Sequence, residues 1–203
     1  MSLKVGGIVL CGGESRRMGR PKAWLSFGDE RMLQRVVRIL RTVVEPIVVV
    51  AAPGQDLPLL EQPVELAHDE WRSRGPLEGL AAGLSRMAEL GVDASYASST
   101  DVPFLQPSFV RRMIELLGDA HIAVPHVQDK HHPLAAVYRT TVLPEIERLL
   151  AADRLRPLFL FDAVATRVVK GDELQAADPT FQTLRNLNTP DDYTAALRDA
   201  GLA

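Results

Sequence analysis

Residues 5–22 read Val5-Gly6-Gly7-Ile8-Val9-Leu10-Cys11-Gly12-Gly13-Glu14-Ser15-Arg16-Arg17-Met18-Gly19-Arg20-Pro21-Lys22. The apolar run Val5–Leu10 predicts a strand buried on both faces of a sheet. It empties into a loop carrying Gly12, Gly13 and Gly19 together with four cations, Arg16, Arg17, Arg20 and Lys22. Glycine lets backbone N–H groups approach an anion without an intervening Cβ. The loop lacks the Gly-Lys-Ser/Thr ending of the common phosphate loop and also lacks Gly-x-Gly-x-x-Gly. A bland strand-to-helix turn with solvated arginines competes with a polyphosphate cradle. Three glycines and four cations so close together favour the cradle. A cation 4 Å from a phosphate oxygen gains roughly 4 kcal/mol at an effective dielectric near 20, enough to matter in a transition state.

The rest of the chain sets bounds on that loop. Its 203 residues suit one domain with a sizeable core, spanning 1–203. With 46% apolar and 24% charged residues, the composition is that of an ordinary globular protein and not a disordered one. A net charge of −3 argues against a broad nucleic-acid or anionic-membrane surface. The basic loop is therefore a local feature on an acidic background. One cysteine precludes an intrachain disulfide and fits a reducing compartment. No apolar run is long enough to span a bilayer, and no leader pattern opens the chain, so a cytoplasmic location is expected.

Strand-like and helix-like segments alternate. Strands are expected at 5–10, 47–51, 64–67, 95–98, 122–124, 134–138 and 166–169. Helices are expected at 31–44, 77–90, 107–117, 143–152, 157–162 and 191–200. The 77–90 helix carries Gly79, Ala82 and Gly83 on one side, which suits close packing on a sheet. Alternation with short loops predicts an α/β fold with a mostly parallel sheet covered by helices. Ligands of such sheets lie at the carboxyl ends of the strands, which singles out the loops 11–22, 68–76 and 99–104.

Several residues on these loops could do chemistry. Asp101 closes the fourth strand and is placed to hold Mg²⁺ beside a phosphate loop, against the plainer reading of a turn or cap aspartate. Asp69, with Glu70 beside it, follows the third strand. Gly75-Pro76-Leu77-Glu78-Gly79 starts a helix whose free N–H groups could meet a substrate. His131-His132-Pro133 lacks the partner carboxylates or cysteines of a metal site. Asn188-Thr189-Pro190 reads as a helix cap. Cys11 has no obvious histidine partner, which argues against a thiol nucleophile.

Taken together, Leu10-Cys11-Gly12-Gly13-x-Ser15-x-Arg17-Met18-Gly19-x-Pro21-Lys22 resembles the signature loop of Rossmann-like nucleotidyltransferases. The likeness is strongest to the molybdenum cofactor guanylyltransferase family. It continues through His68-Asp69, Gly75-Pro76-Leu77-x-Gly79-Leu80, Thr100-Asp101-x-Pro103-Phe104, His132-Pro133-Leu134 and Asn186-Leu187-Asn188-Thr189-Pro190. The resemblance implies a three-layer Rossmann-like nucleotidyltransferase fold with a mostly parallel, mixed central sheet. It implies that Leu10, Cys11, Gly12, Gly13 and Lys22 hold the phosphates and guanine side of GTP, with Asp69 on the nucleotide and Asp101 on Mg²⁺. His132, Asn186 and Asn188 would lie on the side of molybdopterin, or of its metal-loaded form. Hand-over of the acceptor to and from other proteins is also implied.

Two departures stand out. Cys11 replaces a small alanine and introduces an oxidisable thiol. Val50-Ala51-Ala52-Pro53 lacks the asparagine that touches nucleotide in family members. The paired glycines at 12 and 13 look like the guanine-using branch, since cytidine-using relatives more often carry alanine before the last glycine. The reaction expected is in-line attack of a phosphate monoester on the α-phosphorus of GTP, with Lys22, Arg17 and Asp101 as the catalytic residues. Cytidylyl transfer to molybdopterin, nucleotidyl transfer to a sugar or polyol phosphate, and a non-catalytic nucleotide-binding module are the alternatives.

Overall fold

The computed structural model describes residues 3–12, 18–69 and 75–203. The expectations for Gly13, Arg16, Arg17 and Glu70 lie outside the described residues. Strand β1 (Val5–Leu10) runs at the centre of an eight-stranded sheet. It pairs in parallel with β4 (Ile47–Ala51) on one side and β6 (Ala94–Ser99) on the other. Strand β5 (Glu65–His68) extends the β4 side in parallel. Beyond β6 lie β9 (Val137–Arg139), β7 (Ile122–Val127) and β10 (Thr166–Lys170). Strand β9 is antiparallel to both neighbours, and β8 (Lys130–His131) folds back on β7. The sheet is therefore mixed and mostly parallel, as expected.

The apolar runs are buried on both faces because successive side chains enter opposite layers. Val9 and Val49 join α1 (Met32–Arg41) and α3 (Pro107–Leu116) through Leu33, Val36, Leu40, Phe109 and Met113. Ile8, Leu10, Val48 and Val50 point the other way, onto α2 (Pro76–Glu89), α4 (Leu143–Ala151) and α5 (Pro157–Ala163). The small-residue stripe of α2 is used for close approach. A Cβ at Gly83 would stand 2.7 Å from Ile8 Cγ2, and one at Gly79 3.2 Å from Leu10 Cδ2.

A third apolar cluster ties the far end of the glycine loop to the rest. Met18, Leu25, Phe27 and Met32 pack there with Leu187 and with Ala196 of α7 (Pro190–Asp199). Part of it is a two-stranded hairpin, β2 (Ser26–Phe27) and β3 (Glu30–Arg31), which the sequence pattern did not predict. Two-residue strands carry no measurable periodicity, so only the tertiary contacts reveal them. The expected strand at 134–138 begins instead at Val137, because Pro133–Ala135 forms a 3-10 turn. The short helix α6 (Gly171–Leu174) and a 3-10 turn, Gln182–Leu184, lie between β10 and α7.

Candidate functional site

Since β1, β4, β5 and β6 all run parallel, their carboxyl ends meet along one edge of the sheet. The tips are Cys11-Gly12, Ala52, Asp69 and Thr100-Asp101. Three backbone bonds weld them: the Cys11 N–H donates to the Val50 carbonyl at 2.8 Å, the Asp69 N–H to the Ala51 carbonyl at 3.3 Å, and the Thr100 N–H to the Leu10 carbonyl at 3.3 Å. Gly12 lies so close to the third tip that a Cβ there would stand 3.2 Å from Asp69 Oδ2. A side chain at 12 would press on that carboxylate, which favours glycine there. The carboxylate expected on the nucleotide does adjoin the glycine loop.

Asp101 is buried at the β6 tip, only 7% exposed. The Ser99 hydroxyl donates to its Oδ1 at 2.5 Å, and Asn186 Nδ2 donates to the same oxygen at 2.9 Å. Lys22 Nζ donates to Oδ2 at 2.6 Å and to Asn188 Oδ1 at 3.1 Å. The three donors are side chains from three separate segments, so this carboxylate is not serving as a turn or cap aspartate. Lys22 reaches it from a 3-10 turn, Lys22–Trp24, opened by Pro21. Residues 22 and 101 therefore share one side of the sheet edge.

The Asn186–Asn188 segment is held there by its own chemistry. Leu187 is buried in the third cluster and its N–H donates to the Asp101 carbonyl at 2.9 Å. In an extended segment the neighbours of a buried residue face the other way, which turns both asparagines toward the site. Next to them, the Thr189 hydroxyl accepts the Asp192 N–H at 3.1 Å. Asp192 Oδ2 accepts the N–H groups of Asn188 and Thr189 at 3.0 and 2.9 Å. The cap expected at Asn188-Thr189-Pro190 is present, with Thr189 as the capping residue. Those backbone N–H groups hold the Asp192 carboxyl below its usual range.

The other expected residues spread around this centre. Leu10 packs its side chain against Gly79. Gly75 heads α2 with its Cβ position facing the Leu155 carbonyl at 3.7 Å. Arg20, one of the four loop cations, lies over the Tyr193 ring at 5.9 Å. Cys11 is buried, and desolvation pushes its thiol up to about 12 despite a contact from Gln55. The expected oxidisable thiol is thus corrected to one that burial keeps protonated.

His132 lines a cavity of about 210 Å³ with His131, Val102, Thr183 and Asn186, so the cavity opens beside the donors of Asp101. Burial lowers the proton affinity of His132, opposed by its contact to the Val127 carbonyl and reinforced by Lys130, His126 and His131. Burial and the His126 ring likewise lower that of His131, opposed by Asp162. Among the described residues no group of three or more His, Cys, Asp or Glu could cage a metal.

A divalent cation nevertheless fits the donors at Asp101. The Lys22 ammonium sits between a carboxylate oxygen and an amide carbonyl oxygen, Asp101 Oδ2 and Asn188 Oδ1. Hard oxygen donors already surrounding one positive charge suit a small divalent ion. Such ions are commonly held by one or two carboxylates plus substrate phosphates rather than by an all-protein cage.

Two residues of the site were not singled out from sequence. Ser99 stands two positions before Asp101, a spacing that in extended chain shares one face. Gln55 follows the turn signal Pro53-Gly54 and folds back onto Cys11.

Residues 7–166 match the family described as MobA-like NTP transferase domain. A probable molybdenum cofactor guanylyltransferase of Mycobacterium avium is 37% identical over 197 residues, covering 96% of this chain and 95% of that one. Molybdopterin-guanine dinucleotide biosynthesis protein A from Archaeoglobus fulgidus superposes with a TM-score of 0.81 at 20% identity, over 99% and 100% of the two chains. Rv0371c from Mycobacterium tuberculosis, solved as a complex with manganese, gives a TM-score of 0.66 at 19% identity, over 96% and 98%. These superpositions bear out the Rossmann-like nucleotidyltransferase fold.

Proposed function

The chain belongs to the MobA-like NTP transferase family, and we propose on that premise that it transfers GMP from GTP to the terminal phosphate of molybdopterin. The products are the guanine dinucleotide form of the cofactor and pyrophosphate. One observation carries the chemistry: Lys22, Asp101, Asn186 and Asn188 converge at the strand tips that also carry Gly12 and Asp69.

The acceptor phosphate monoester is anionic near neutral pH and needs no strong base. Catalysis is then positioning and charge neutralisation. The Gly12 segment and Asp69 receive the nucleotide, and Leu10 shapes the floor under it. Gly75 brings the N-terminus of α2 to the same edge. Lys22, on a flexible stem, moves from Asp101 to the phosphate oxygens and stabilises charge on the leaving pyrophosphate, a task Arg17 shares, while the family resemblance assigns Gly13 to holding the nucleotide. Ser99 and Asn186 hold the Asp101 carboxylate in one orientation. His132 and Asn186 border the cavity for the acceptor, with Asn188 beside them. Asp101 and Asn188 would hold a divalent ion, Mg²⁺ in this proposal, whose bound charge draws electron density from the phosphate oxygens.

No helix of the described residues is long and apolar enough to cross a membrane. A cytoplasmic site of action, with partner proteins that deliver and receive the cofactor, belongs to the same proposal.

The test is pyrophosphate release and dinucleotide formation by the purified protein with molybdopterin and Mg²⁺, run in parallel with GTP, CTP, ATP and UTP. Product with GTP alone is expected. A preference for CTP rejects the guanylyl assignment, and nucleotide binding without pyrophosphate release rejects transfer altogether.

A further inference from the structure

Gln55 lies outside the Lys22–Asp101 cluster and has no role in the chemistry above. Its side chain uses both ends. Oε1 accepts the Ala52 N–H at 3.0 Å, and Nε2 donates to the Cys11 carbonyl at 3.1 Å, with Cys11 Sγ at 3.5 Å. The turn that delivers it is closed by the Gln55 N–H on the Ala52 carbonyl at 3.0 Å. Pro53 and Gly54 (φ +71°) take its corners, as a type II turn requires. Trp24, two residues from Lys22, anchors the next residue of this loop by donating from Nε1 to the Asp56 carbonyl at 3.1 Å.

The Cys11–Gly12 peptide is trans, so its carbonyl and the Gly12 N–H point in opposite directions. Holding the Cys11 carbonyl therefore sets the direction of the Gly12 N–H. We propose that Gln55 is a positioning residue for nucleotide binding: its carboxamide locks the Cys11–Gly12 peptide so that the first amide of the glycine loop is presented to the nucleotide before it arrives. Without the carboxamide that peptide can rotate, and the cost of fixing it falls on binding. The proposal rests on the GTP-binding reading of this edge.

The test is steady-state kinetics and melting temperature of the full chain carrying Gln55→Leu or Gln55→Glu. Leucine should raise KM for GTP about tenfold, the loss of roughly one hydrogen bond, while kcat changes less than about threefold. Glutamate keeps the shape, but its carboxylate has no proton for the Cys11 carbonyl. Its KM should be raised at pH 8 and fall toward wild type as the pH is lowered and the carboxyl regains a proton. Wild-type KM should not share that pH trend. A leucine variant with unchanged KM, or a glutamate variant whose KM ignores pH, overturns the assignment. Should either variant melt far below wild type, the other and the pH trend still decide. Failure of the guanylyl reading is separate: wild type then saturates with CTP and not GTP, and the same comparison is made with CTP. Saturation by neither nucleotide overturns both.

Discussion

Lys22 carries the sharpest test at the level of single residues. Lys22→Ala removes a cation from Asp101, but the carboxylate keeps Ser99 and Asn186 as donors. Melting temperature should therefore move by only a few degrees. Turnover with GTP should fall about a hundredfold or more, the scale of losing a transition-state charge contact. Near-normal turnover would refute the catalytic role. Cys11 makes a second case. A thiol pushed up to about 12 is thiolate in only about one molecule in ten thousand at pH 8. Folded protein should resist alkylation by iodoacetamide at that pH and react readily once unfolded. Prompt labelling of the folded protein would contradict the burial. Sequence alone pointed to Lys22 and Asp101 because cations beside glycines and a carboxylate at a strand end are local signals. Gln55 gave none, since its contact depends on two strand tips meeting in space.

Helix α2 shows how elements report on packing. Gly83→Ala raises intrinsic helix propensity by up to about 1 kcal/mol. The new Cβ would meet Ile8 Cγ2 at 2.7 Å and Val50 Cγ2 at 3.1 Å, on buried central strands that cannot retreat. Overpacking of this kind costs about 1–3 kcal/mol, so the net effect should be destabilising. A raised melting temperature would show that α2 can shift off the sheet. The Thr189 cap leads to α7 in the same way. Thr189→Ala should cost about 1 kcal/mol of stability, measured by urea denaturation, and weaken GTP turnover by loosening Asn188. The long buried strands were legible because their apolar runs are continuous. The β2–β3 hairpin was not, because its order comes from Phe27 against the Phe104 ring, centroids 5.6 Å apart, and from the Arg35 guanidinium over Phe27.

Across the whole molecule, stability should depend on pH through His131 and His132. Both bind protons less readily in the folded state than in the unfolded chain, chiefly from burial. The unfolded state therefore takes up more protons below about pH 6.5, and stability rises with pH through that window. Melting temperature should drop as pH falls from about 7.5 to 5.5, and His132→Gln should flatten part of the decline. An unchanged slope would refute the contribution assigned to His132. The layered α/β plan was legible from strand–helix alternation. The mixed sheet needed β9, whose direction no local pattern encodes. The asparagines at 186 and 188 came from family likeness alone, since nothing local distinguishes them from an ordinary helix cap. The backbone bond from Leu187 to Asp101 bridges a long stretch of the polypeptide and joins two segments made far apart in time. On the ribosome, the stretch bearing Asp101 emerges long before the asparagines that complete its surroundings. The nascent chain can therefore pair its central strands while its reactive carboxylate still lacks part of its final setting.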